Sequence, residues 1–183
     1  MLSYIGDNPG IEAVILAANW TGVVEVARYM DEGGERAQLQ DTLASAGDPP
    51  QSPAELMATG LTRTIQVLQE LGRRVIIVGP VPEIGHNVPS VNHIARVTNR
   101  DVNDMIAPTI EEYESRSAQS VSILSTIAEQ FDVPAIWPSE ILCNERRCVV
   151  ALDDGVPLYH DDDHLSTAGA QYVSEILDPV LSD

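Results

Sequence analysis

The sequence predicts a three-layer α/β fold built on a parallel sheet. Two observations carry that expectation: three short, continuous apolar runs, and amphipathic helical segments lying between them. Strands buried on both faces read as unbroken apolar runs rather than as alternating ones. A strand, helix, strand, helix order is the pattern of parallel strands joined by crossovers.

The elements follow in order. Met1 to Ile5 reads as a helical turn and Asn8-Pro9-Gly10 as a turn, leading into the first run, Ala13 to Ala17. Residues 33–51, rich in Gly, Asp and Pro, read as a surface insertion or mobile loop. Ser52-Pro53-Ala54-Glu55 is a capping box with proline at the first helical position. The helix it opens carries Met57, Leu61, Ile65 and Leu68 on one face and stops at Gly72. The second run is Val75 to Val78, followed by a long loop from Gly79 to Ser90. A second helix is expected over Ile110 to Phe131, with Val121, Leu124, Ala128 and Phe131 facing inward. The third run is Val133 to Trp137, and a last helix after Ser166 turns Val173, Leu177 and Val180 to the core.

At 183 residues the chain is expected to form one domain, and 44% hydrophobic with 21% charged residues is ordinary for a globular protein. No apolar run reaches the length a membrane span needs. A formal charge of −18 argues against nucleic acid as a partner, because phosphate is bound by Lys and Arg. It disfavours an anionic membrane surface for the same reason. Met1-Leu2-Ser3-Tyr4 has neither a basic nor an apolar leader region, so no signal peptide is expected. These opening residues read like the interior of a domain, and the chain is expected to be a piece of something longer. Cys143 and Cys148 flank Asn-Glu-Arg-Arg. They are either unrelated thiols or a disulfide closing a polar turn, and the short loop favours the disulfide and an oxidising compartment.

In open α/β sheets, sites form at the carboxyl ends of the strands. Three segments are expected there: Ala18-Asn19-Trp20, Gly79-Pro80-Val81-Pro82-Glu83, and the loop Asp161-Asp162-Asp163-His164. The last is the most specific. An aspartate three residues before a histidine can accept from Nδ1–H and leave Nε2 to a nucleophile, the orienting logic of a catalytic triad. Asp161 has that offset, whereas Asp162 and Asp163 read as acids of the helix approach or solvent face. The competing reading is an acidic loop that merely leads into a helix, and Ser166 reads as that helix's N-cap. His160, the aspartates and His164 also raise a metal site, but adjacent loop residues rarely converge on one ion, and neither metal nor cofactor is expected. Asn19 can donate to a developing oxyanion, or else satisfy loose backbone groups at the strand end. Trp20 reads as a lid packed over that end, and Glu83, His86 and His93 as rim residues without a catalytic role.

The block Asp161-Asp162-Asp163-His164-Leu165-Ser166, followed by Gly169-Ala170, resembles the last motif of SGNH (GDSL-type) hydrolases. It is most similar to the extracytoplasmic SGNH domains fused to membrane acyltransferases of bacterial envelopes. Val14 to Trp20, Val78 to Pro82 and the cysteine pair agree, so the resemblance covers about residues 10 to 180. It implies a flavodoxin-like α/β/α sandwich acting with Ser, His and Asp on O-acyl esters of envelope glycans, by hydrolysis or transfer. His164 would be the general base, Asp161 its orienting partner and Asn19 the oxyanion donor. The implied partners are an acylated glycan or acyl donor and the membrane acyltransferase domain of the full-length protein, outside the cytoplasm. The family's Gly-x-Asn-Asp block stands here as Ala17-Ala18-Asn19-Trp20.

One departure is large. The family's nucleophile lies in Gly-Asp-Ser, and Gly6-Asp7-Asn8 puts an asparagine where the serine would be. That stretch is expected to be an ordinary turn, with the nucleophile, the oxyanion glycine and the first two strands lacking. Loss of the first strand would leave Ala13–Ala17 as an exposed apolar edge, open to self-association. A non-catalytic relative that binds glycans or acts as a scaffold is the alternative function.

Overall fold

The computed structural model describes residues 2–25, 29–30, 39–45 and 49–181. They fall into two compact units. The first takes Met1–Val26, Glu35–Gly79 and Gln119–Ile136, and the second Ala27–Gly34, Pro80–Ala118 and Trp137–Asp183.

The first unit holds the sheet. Its strands are β1 (Ala13–Leu16), β2 (Arg74–Val78) and β3 (Ala135–Ile136), all parallel, in the order β1-β2-β3. Ala13 pairs with Arg74 and Leu16 with Ile77, while Val78 pairs with Ile136. The central β2 is buried through Val75, Ile76 and Ile77. β1 departs from the expected full burial, with Ile15 42% exposed, because it has a neighbour on one side only among the described residues. The third strand is shorter than the apolar run Val133–Trp137, since Pro134 and Pro138 bracket it and neither has an N–H to donate.

Helix α1 (Leu2–Asp7) takes in Gly6 and Asp7, so the expected turn at Gly6-Asp7-Asn8 is the end of a helix. It is anchored by the buried Ile5, whose carbonyl accepts from Arg73 Nη2 at 3.2 Å. Sequence reading missed α2 (Trp20–Val24), which follows β1 at once. Helix α3 (Pro53–Glu70) has the full Ser52–Glu55 capping box, buries Met57, Leu61, Ile65 and Leu68, and ends before Gly72 at φ +70. Of the expected insertion, residues 33–38 and 46–48 lie outside the described residues. Asp41, within it, pairs with Arg63 of α3 at 2.8 Å.

The second unit is built of short helices and bridged loops. The loop after β2 is followed by α4 (Val88–Val97) and α5 (Val102–Ile106), neither of which the apolar pattern predicted. Helix α6 (Ile110–Phe131) starts in this unit, and its C-terminal half, with Leu124, Ile127 and Ala128 buried, counts with the first. After α7 (Ser139–Leu142) come extended loops and α8 (Thr167–Ser174). The single last helix expected from the sequence is two, because Pro179 ends it and opens α9 (Asp178–Leu181). The core of this unit gathers Ile84, Val88, Leu142, Val150, Leu158 and Tyr159. Asn103 is buried within the unit: its Nδ2 donates to the Ala151 carbonyl and its Oδ1 accepts from the Val150 and Ala151 N–H groups. Cys143 and Cys148 form a disulfide across the turn in which Asn144 Oδ1 accepts from the Arg146 and Arg147 N–H groups.

Candidate active site

The Asp161–His164 loop stands on a rigid base. Leu158 and Tyr159 are fully buried beneath it, and an antiparallel bridge joins Tyr159 to Leu165. His160 N–H donates to the His164 carbonyl at 2.7 Å and Ser166 N–H to the Leu158 carbonyl at 2.9 Å, closing the loop at its neck. Ser166 then caps α8, its Oγ accepting from Gly169 N–H at 3.1 Å and donating to the Pro157 carbonyl at 2.8 Å. Gly169 is required there, because a Cβ would collide with the Leu158 carbonyl oxygen. Burial drives the Tyr159 phenol far above its ordinary pKa, so it stays neutral and serves as packing.

A second set of bonds fixes the loop from the side. Ile84 N–H donates to the Asp162 carbonyl at 2.8 Å and Val88 N–H to the Asp161 carbonyl at 3.1 Å. The chain just after the expected segment Gly79–Glu83 is thereby bonded to the Asp161–His164 loop. Glu83, expected at a rim, is instead buried, and its carboxylate accepts from Arg116 Nε of α6 at 2.6 Å. This ion pair anchors the residue next to Ile84. Arg116 also lies over the Tyr29 ring, 5.5 Å from its centre. Neither Arg116 nor Tyr29 was singled out from the sequence, since no local pattern marks partners so far apart along the chain, Glu83 and Arg116 being thirty-three residues apart.

Within the loop, Asp161 does two jobs. Its Oδ1 accepts from the backbone N–H of Asp163 at 3.1 Å and of His164 at 2.8 Å, which bends the chain. Its Oδ2 lies 3.0 Å from His164 Nδ1, which brings the aspartate and the histidine together as the three-residue offset predicts. Asp163, expected as an acid of the helix approach or solvent face, turns into the loop: its side chain is 18% exposed, and its Oδ1 lies 2.6 Å from the same Nδ1. The imidazole itself is 71% exposed.

The charges follow from these contacts. His164 is held above the ordinary histidine pKa, first by the Asp163 carboxylate; burial opposes this, and the charge and hydrogen bond of Asp161, with the Asp162 charge, add to the rise. Burial pushes the Asp161 carboxyl up, but the His164 and Asp163 N–H groups and the imidazole outweigh it, leaving the carboxyl below its usual range. Asp163 is pushed up, chiefly by burial; the His164 charge pulls it down, and the neighbouring carboxylates of Asp162, Asp161 and Glu83 add to the rise. Asp161, Asp163 and His164 each offer an atom within 4.8 Å of the others. Since Nδ1 is already engaged with the carboxylates as a hydrogen-bonding partner, the arrangement is that of an oriented imidazole, and no metal is assigned to it.

Asn19 belongs to the first unit. It is the N-cap of α2, its Oδ1 accepting from Gly22 N–H at 2.7 Å. A side chain at position 22 would put its Cβ 2.5 Å from that oxygen, so the glycine makes room for the carboxamide. The cap turns the oxygen to the helix and makes Nδ2 the donating end of the group. Trp20 is buried over the end of the sheet, as expected, and donates from Nε1 to the Val78 carbonyl at 2.7 Å.

A family model described as the SGNH domain (fused to AT3 domains) matches residues 1–179. The chain belongs to this SGNH family. No curated protein matches the chain. Among solved structures, the SGNH chain is similar to the periplasmic domain of a lipopolysaccharide acetyltransferase from Salmonella ser. Paratyphi A. The two are 20% identical with a TM-score of 0.56 over 71% of this chain, which shows a shared α/β/α fold. This chain spans about half of that domain, 51% of its length. No helix among the described residues is long and apolar enough to cross a membrane.

Proposed function

We propose that this SGNH domain supplies the histidine and aspartate of a Ser-His-Asp site for O-acyl esters of envelope glycans, by hydrolysis or by transfer. The observation that carries this reading is the 3.0 Å contact between Asp161 Oδ2 and His164 Nδ1 in a loop bonded on two sides. Asp161 holds Nδ1 as the protonated nitrogen, so Nε2 keeps its lone pair and takes the proton of an attacking hydroxyl as the acyl carbon is engaged. Asn19 acts as an oxyanion donor through Nδ2. No metal or cofactor takes part.

The nucleophile of this reading is a serine from outside these 183 residues. In the second unit Ser90, Ser117, Ser166 and Ser174 bond to Asn87, Tyr113, Pro157 and Gln171, and among the described residues, Ser115 and Ser139 included, no hydrogen bond joins a serine to His164. Residues 1–183 are read as one SGNH-like domain because the family match runs through both units. The AT3 membrane acyltransferase domain is the proposed partner, with an acylated glycan or acyl donor as substrate and a location outside the cytoplasm. The disulfide supports that location, since cytosolic thiols are kept reduced. The edge of β1 that has no strand neighbour among the described residues is proposed to associate with a second copy in the isolated chain.

With p-nitrophenyl acetate, the present chain is expected to give no turnover above background. Turnover that His164→Ala abolishes would refute the assignment of the serine to another segment. A non-catalytic, glycan-binding role replaces the proposal if the longer protein carries no serine that supports turnover.

A further inference from the structure

Two carboxylates, not one, stand at His164 Nδ1. Asp161 meets it through both oxygens, at 3.0 and 3.2 Å, with hydrogen-bonding geometry. Asp163 Oδ1 approaches to 2.6 Å as an ion-pair contact, from the residue immediately before the histidine. A side chain so close in sequence has little freedom to align with the ring N–H, yet at this distance its charge is fully felt. We propose that Asp163 is a second positioning residue of the site, setting the charge of the His164 imidazole while Asp161 sets its direction. This rests on the reading of His164 as the general base.

The surroundings favour that division. Asp163 is more buried than Asp161, with 18% against 32% of its side chain exposed, so its charge is less screened by water. Asp161 spends one oxygen on two backbone N–H groups, which ties its orientation to the shape of the loop. Among the described residues, Asp162 in the loop also acts on His164, and Glu83, which is paired with Arg116 at 2.6 Å, acts on Asp163. With three carboxylates near the imidazole, the protonated ring is favoured, and the free base forms only at higher pH. A base of raised pKa is the stronger proton acceptor once it is deprotonated. The consequence is an activity that rises on the alkaline side of an ordinary histidine's titration.

The test is a proton-NMR titration of the four histidine rings in the full chain, with His164→Gln assigning the signal. Asp163→Asn is expected to lower the His164 midpoint by about half a unit or more, with Nδ1 still the protonated nitrogen of the neutral ring. Asp161→Asn is expected to lose that tautomer preference. Asp163→Glu, which restores the charge, should recover most of the shift, and unchanged Ile84 and Val88 amide signals show that the loop is intact. A titration in Asp163→Asn that superimposes on the parent, or a tautomer lost with Asp163 rather than Asp161, overturns the proposal. If the titrations behave as expected but ester turnover in the longer protein ignores His164, the functional reading falls and the electrostatic assignment stands.

Discussion

The two units of this chain are stabilised by different means. The first is a parallel sheet against an amphipathic helix: β2 and α3 put Ile65, Leu68, Ile76 and Ile77 wholly out of solvent. The second is short helices and loops tied by polar groups, among them Asn103, the Glu83–Arg116 pair and the Cys143–Cys148 disulfide. Apolar burial is non-directional and roughly proportional to area, so it fixes a frame. Hydrogen bonds and ion pairs have preferred directions, so they fix where a side chain points. The catalytic candidates of the loop, Asp161 and His164, lie in the unit whose polar ties can aim them.

Substitutions on the two sides sharpen that contrast. Ile76→Ala, in the centre of the sheet, is expected to cost about 4 kcal/mol in urea denaturation, from lost burial and the cavity left behind. Glu83→Gln leaves the Arg116 charge buried without its carboxylate, for about 3 kcal/mol. Hydrogen exchange at the neighbouring Ile84 amide should rise with it, and unchanged protection there would separate the ion pair from the loop. Reduction of Cys143–Cys148 opens a loop with a separation of only 5, and about 2 kcal/mol is expected from the restored freedom of the unfolded chain.

The smallest effect is that of pH. The lowered Asp161 pKa contributes stability above the ordinary aspartate value, lost as pH falls through the native one. The raised His164 pKa contributes below the ordinary histidine value of about 6.5, lost as pH rises through the native one. The raised Asp163 pKa works in the opposite sense, weakening the loop as that carboxyl ionises. Protection of the Ile84 and Val88 amides is therefore expected to be lower in strong acid and at alkaline pH than at mildly acidic pH.

What the sequence disclosed follows the same division. The strands, α3 and the start of α6 were legible because apolar periodicity and the Ser52–Glu55 capping box are local signals. Helices α4 and α5 were missed although Asn87 and Asp101 cap them and Pro89 stands in the first turn. Their short apolar faces have no long periodic run to announce them. At the site, the Asp161–His164 offset is itself a local geometry and could be read directly. Asp163 reads from the sequence as an acid of the helix approach or solvent face, and only the fold of the loop brings its carboxylate to Nδ1. Glu83 found its partner in a helix thirty-three residues away, a pairing no local pattern encodes.

The account depends most on His164 being the base that activates a serine. The direct measurement is ester turnover by the proposed longer protein with and without His164→Ala, at a pH where the imidazole is deprotonated. A fall of about a thousandfold or more, with the fold intact, is the expected result. Turnover within about tenfold of the parent would contradict it, leaving the Asp161–His164 loop a structural feature only.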